Sequence, residues 1–263
     1  MSGLLLVADY SSSSEEESSE ICAKRIKLEN NASNPVKRLP LPSIFSKKEE
    51  IVEHEDNPEK HGGRVRNFPH QRGNWSTFVY IPYETNEQFH KLVSRLHEKC
   101  CQVTKFHRVE DFHISLSRTV VLKFHWINNF ISALRSHLET VEKFAVIFDS
   151  LSIYCNDDKT RTFVSLQVGL IGSSDLENIV TKVDHSLKEF NLQTFYQDPS
   201  FHISLLWCVG DKRSELEAIL SSLEATFSEI ADNPSVEESS FCELLVDSVA
   251  CKSGNKNFNF PLK

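Results

Sequence analysis

The chain has 263 residues, a formal net charge of -8 at pH 7 and 40% hydrophobic residues. That length predicts one or two domains, and the charge argues against a broad basic nucleic-acid surface. No run of 18 apolar residues is present, so no membrane-spanning helix and no membrane partner are expected.

Residues 1–60 read as a disordered tail. They hold 8 Lys and Arg against 12 Asp and Glu, which leaves the rest of the chain only mildly acidic, with room for a local basic patch. The run Leu4 to Ala8 is too short for a signal-peptide core and has no basic stretch before it. Ser11 to Glu20 is an acidic serine tract without periodicity, open to phosphorylation. Lys24-Arg25-Ile26-Lys27 and Lys37-Arg38 read either as a nuclear localisation signal or as ordinary tail charge. From His61-Gly62-Gly63-Arg64-Val65-Arg66 onward the composition changes, and residues 61–263 are expected to form one domain.

Thr77 to Ile81 is the first strand. Phe89, Leu92, Val93 and Leu96 have helical spacing within a helix over Glu84 to Lys99. Phe112-His113-Ile114-Ser115-Leu116 follows, a strand with Phe, Ile and Leu on one face and His and Ser on the other, running on toward Val120-Val121-Leu122. Trp126 to about Val141 is a second helix. Phe144 to Tyr154 and Arg161 to Val168 form a hairpin across Asn156 to Thr160. Ser173-Ser174-Asp175 reads as the cap of a third helix reaching Phe190. Phe201-His202-Ile203-Ser204-Leu205 then repeats the first motif 89 positions later. Asp211 to about Ile230 is a fourth helix, and Phe241 to Cys251 with Asn257 to Leu262 a closing hairpin. Each repeated motif therefore sits between helices, with hairpins beside it. The hairpins predict an α+β fold with antiparallel sheets and helices packed outside. Seven cysteines, odd in number and without a CxxC, suit a reducing compartment such as cytosol or nucleus.

One His on a strand is ordinary. The same pentapeptide at equivalent places in a two-fold topology asks for a chemical reason. Two imidazoles that titrate near neutrality can divide proton removal from proton donation. Phosphodiester transesterification needs both operations, and in RNA the substrate brings its own nucleophile, the ribose 2′-OH. Ser115 and Ser204 would donate hydrogen bonds to the phosphate oxygens, where negative charge develops. No metal or cofactor is required. Three alternatives compete. A metal site lacks evident third and fourth ligands. A covalent Ser nucleophile lacks the glycines of a nucleophile elbow. A cleft that binds RNA 3′ ends without cleaving them would need no pair of titrating groups. Tyr196, before the second motif, either stacks on a nucleobase or packs under its loop. Gln197 and Asp198 are weaker candidates for reading a base edge, and Lys252 reads as an ordinary turn lysine in preference to a charge placed near a phosphate.

His113-Ile114-Ser115 and His202-Ile203-Ser204 are similar to the paired H-x-S/T motifs of the 2H phosphoesterase superfamily. The words Arg72-Gly73-Asn74-Trp75, Phe195-Tyr196-Gln197-Asp198-Pro199-Ser200 and Cys251-Lys252-Ser253-Gly254-Asn255-Lys256, with His61 to Arg66, narrow the resemblance to its animal U6 snRNA phosphodiesterases. That resemblance implies a bilobal fold of two antiparallel sheets related by a pseudo-two-fold axis around a cleft. It implies a monomeric, nuclear, metal-independent 3′-to-5′ exoribonuclease acting on the single-stranded, uridine-rich 3′ end of U6 snRNA and leaving a 2′,3′-cyclic phosphate. An enzyme that opens an already cyclic end is a related possibility. His202 is assigned as general base and His113 as general acid, with the reverse assignment left open by the near symmetry of the two motifs; Ser115 and Ser204 are assigned as phosphate donors, and the resemblance gives Tyr196 the base-stacking role.

Overall fold

Val79 and Ile81 alternate with residues closer to solvent, and the alternation builds strand β1 (Asn74–Pro82), with one face in the core. The computed structural model describes residues 71–233 and 240–263. The acidic tail, its basic clusters and the His61-to-Arg66 word lie outside the described residues.

Asn86 caps α1 (Glu87–Cys100), its side-chain oxygen accepting from the Phe89 amide at 2.9 Å. The expected stripe of Phe89, Leu92, Val93 and Leu96 is buried. Short strands β2 (His107–Arg108), β3 (His113–Ser115) and β4 (Val120–Lys123) follow. The first repeated motif thus gives only a three-residue strand. Ser117 ends it, accepting from the Val79 amide at 2.8 Å and donating to the Arg118 carbonyl at 2.9 Å. A single 3₁₀ turn, Phe124–Trp126, leads into α2 (Ile127–Leu138). Strands β5 (Phe144–Cys155) and β6 (Arg161–Val168) form the expected hairpin.

The N-terminus of α3 (Ser173–Glu189) differs from expectation. Gly172, at φ 87, occupies the cap position, and no side chain caps the helix. A Cβ there would lie 2.6 Å from the Ala145 carbonyl oxygen, so the close crossing over β5 selects glycine above a serine cap. Strand β7 (His202–Val209) carries the second motif. The expected fourth helix is two, α4 (Arg213–Glu217) and α5 (Leu220–Ala231). Leu216, Leu220 and Leu223 keep helical spacing across the break, so the pattern conceals it.

The last apolar stretch is also two strands, β8 (Glu243–Val246) and β9 (Ser248–Ser253), the latter in a hairpin with β10 (Lys256–Pro261). Strand β8 pairs with β5, whereas β9 pairs with β1 and β10. The chain passes from one half of the fold to the other at Asp247, whose carbonyl accepts from the Leu262 amide at 2.7 Å.

The strand order is β10-β9-β1-β3-β7-β6-β5-β8, with β4 beside β1 and β2 beside β7. All these pairs are antiparallel. The two halves expected from the repeat meet edge to edge at β3 and β7. Helix α1 packs on α5 and α2 on α3, so each helical pair draws one helix from each half. Ile114, Leu116, Ile203 and Leu205 lie in the buried core. Fully burying a side chain of that kind contributes about 1.5–3 kcal/mol.

Candidate active site

The junction of the halves is where the two motifs meet. Ile114 pairs with Ile203 across antiparallel strands. Continuing that register sets His113 opposite Ser204 and Ser115 opposite His202. With both isoleucines in the core, the period of two turns all four polar side chains to the other face. The result is a crossed quartet, each histidine beside the serine of the other motif.

Each imidazole is fixed in the same way. Nδ1 of His113 donates to the Asp111 carbonyl at 2.8 Å, and Nδ1 of His202 to the Ser200 carbonyl at 2.8 Å. A carbonyl only accepts, so Nδ1 carries the proton and Nε2 is left for substrate. The walls differ. His113 meets the rings of Phe78 and Tyr80 at centroid distances of 5.8 and 5.3 Å. Tyr154 stacks on His202 at 3.9 Å and 15°, and its hydroxyl lies 2.6 Å from Ser200 Oγ.

Burial pushes both imidazoles below their ordinary value of 6.5 against the opposing pull of the carbonyl bonds. Among the charges, the Asp111 carboxylate pulls His113 up and Lys252 pushes it down, while the charge of His113 pushes His202 down. Both are therefore neutral at pH 7 in the free protein. The charge of a protonated His113 disfavours a second proton on His202, so the pair resists taking up two protons.

This has a consequence for stability. The unfolded chain takes up these protons near pH 6.5, the folded chain only at lower pH, so protonation favours unfolding. Stability from the neutral pair is full above pH 6.5 and is lost as pH falls through the folded values. Urea unfolding at about pH 5 and about pH 7.5 should give a lower midpoint at the acid end. In His113→Asn and His202→Asn variants that difference should shrink; an unchanged difference would show that other groups carry it.

On β6, Gln167 lies opposite His202 and Ser165 opposite Ser204, and Ser152 of β5 donates to the Gln167 side chain. These neighbours went unnoticed in the sequence, where nothing marks a β6 residue as a partner of β7. Lys252 is not the turn lysine it resembled. It lies on β9 opposite Phe78 and, with His113, Tyr80 and Asn257, borders a cavity of about 460 Å³. Tyr196 precedes β7, near the other end of the motif strands. It is 45% exposed, with the Arg118 guanidinium 3.7 Å from its ring centre. Its loop is tied to α3 by the Phe195 amide, which donates to Asp184 at 2.9 Å. Gln197 and Asp198 are exposed and join no hydrogen bond of the quartet.

Comparison with known proteins places this geometry in a family. A family model described as HVSL, uncharacterised conserved protein, matches residues 39–261. U6 snRNA phosphodiesterase 1 of Mus musculus is 42% identical over 275 residues, covering 100% of both chains. That of Homo sapiens is 42% identical over 278 residues, again covering 100% of both. The chain belongs to the U6 snRNA phosphodiesterase family. As a member of that family it is an enzyme of the phosphodiesterase class. The structure of Kluyveromyces marxianus Usb1 with uridine monophosphate matches with a TM-score of 0.51 at 13% identity, covering 72% of this chain and 99% of that one. At that identity the likeness speaks for the fold alone, and the fold is the bilobal α+β architecture that the resemblance implies, with the two halves joined in one continuous antiparallel sheet.

Proposed function

We propose that this protein is a nuclear 3′-to-5′ exoribonuclease that shortens the oligouridine 3′ end of U6 snRNA by transesterification. The penultimate ribose 2′-OH attacks the last phosphodiester in line. His202 Nε2 takes the 2′-OH proton as the O2′–P bond forms. The P–O5′ bond breaks, and His113 Nε2, protonated, gives its proton to the departing O5′. A nucleoside leaves, and the RNA ends in a 2′,3′-cyclic phosphate. Solvent then returns one proton to His113 and removes one from His202.

Ser115 and Ser204 donate to the two non-bridging oxygens, and such fixed donors favour the transition state. Tyr196 stacks on a base beside the scissile phosphate. A phosphodiester anion in the cleft raises the proton affinity of the imidazoles, which supplies the acid that the free enzyme lacks at pH 7. Both halves of the acid–base pair come from one chain, so the enzyme acts as a monomer. Nothing in these steps calls for a metal ion.

The crossed quartet is the observation that carries this reading. A protein that only bound RNA ends would gain nothing from two imidazoles held in one tautomer by equal carbonyl bonds. The test is the chemical form of the product. Oligouridine-tailed RNA incubated with the protein should shorten, and mass spectrometry should find a 2′,3′-cyclic phosphate on the shortened chain. RNA that stays full length points to a binder. A 3′-hydroxyl end, with release of a nucleoside 5′-phosphate, points to attack by water with O3′ as the leaving group in place of the 2′-OH route.

A further inference from the structure

We propose that Arg118 is a positioning residue for the RNA base, acting through Tyr196. This rests on the base-stacking reading of Tyr196. It adds the residue that gives Tyr196 its orientation.

Arg118 lies in the loop between β3 and β4, three residues beyond Ser115. Its backbone is anchored, because Ser117, 5% exposed, accepts from the Val79 amide at 2.8 Å and donates to the Arg118 carbonyl at 2.9 Å. The guanidinium reaches two other segments. Its Cζ sits 3.7 Å from the Tyr196 ring centroid, and its Nη1 donates to Asp157 Oδ2 at 3.0 Å. Asp157 lies in the β5–β6 turn. That turn is itself braced by Asn156, whose side-chain oxygen accepts from the Thr160 and Arg161 amides at 2.9 and 2.8 Å. One planar cation therefore connects the loop after the first motif, a braced turn of the other half and the segment leading into the second motif.

Tyr196 is exposed at 45%, and a free tyrosine on a loop would sample several rotamers. A guanidinium on one face removes that freedom and leaves the opposite face for a base. The rotamer cost of ordering the ring is then met before RNA arrives. Arg is suited to this and Lys is not. Its plane stacks on a ring while its fork holds a carboxylate, whereas an ammonium on a flexible stem does neither in a fixed plane.

The test is a double-mutant cycle on Arg118 and Tyr196, read as kcat and KM for oligouridine-tailed RNA. Tyr196→Ala should raise KM. Arg118→Gln should raise KM roughly three- to thirtyfold, the range of a cation–π contact, with kcat within about twofold. Arg118→Lys should not rescue it. In the Tyr196→Ala background Arg118→Gln should add nothing further, because its effect passes through the ring. An unchanged KM in Arg118→Gln, full rescue by Lys, or additive effects in the double variant would each overturn the inference while leaving base stacking in place. An unchanged KM in Tyr196→Ala removes the stacking reading and this inference with it. If the Arg118 variants do not fold, Asp157→Asn, at an exposed turn, decides: a raised KM supports the tether and an unchanged one overturns it.

Discussion

In the proposed mechanism, His113→Ala and His202→Ala should each remove about 10²–10⁴-fold of the trimming rate on an oligouridine-tailed RNA and should leave the fold intact. The size follows from the division of labour. In that mechanism each imidazole handles one proton that must move in the transition state, and no second imidazole or carboxylate joins it on β3 or β7. The fold survives because these side chains lie on the face away from the core. The sheet is held by Ile114 and Ile203, both fully buried, and by the neighbouring strands. Each His→Ala loses one bond from Nδ1 to a carbonyl, at a cost of about 1 kcal/mol. Activity measured with the melting temperature separates loss of chemistry from loss of structure. A full rate in either variant would remove that histidine from the mechanism. The two variants differ in one respect: Tyr154 loses its stacking partner in His202→Ala, so that protein should be the less stable of the pair.

The pair itself was legible in the sequence, and the arrangement around it was not. FHISL alternates apolar and polar residues, and its recurrence 89 positions later marks two equivalent places in one fold. Helices α1 and α3 were legible from their stripes, because local periodicity reports burial directly. Register is a different kind of fact. The pairing of Ile114 with Ile203 is a long-range choice, and only that choice crosses His113 with Ser204 and His202 with Ser115. The same holds for the supports. Tyr154 reaches His202 through two intervening strand pairings, and Lys252 reaches the side of His113 from the end of the chain. Arg118 and Tyr196 are 78 positions apart and meet only when β3 and β7 pair. The strand break at Asp247 was hidden for a simpler reason: apolar residues continue on both sides of it while the chain changes partners.

The surroundings break the symmetry of the two motifs. His202 is clamped by a stacked tyrosine, and His113 borders a cavity together with Lys252. The Lys252 cation disfavours the protonated form of His113, and in the proposed mechanism it would attract a phosphodiester anion that restores that form. In that mechanism the coupling would make His113 competent as the acid once substrate is bound.

The central claim is that the RNA supplies the nucleophile, and the most direct measurement changes only that atom. An oligouridine-tailed RNA carrying a single 2′-deoxy residue at the penultimate position keeps the phosphate, the bases and the leaving group. The reaction then has no oxygen to close the cyclic phosphate, so removal of the terminal nucleoside should fall to the uncatalysed level, below the residual rate of either histidine variant. The deoxy RNA should still compete with the all-ribose substrate for binding, which shows that the cleft is occupied. The account predicts a bound and intact deoxy RNA; its shortening at a rate near that of the all-ribose substrate would contradict the account.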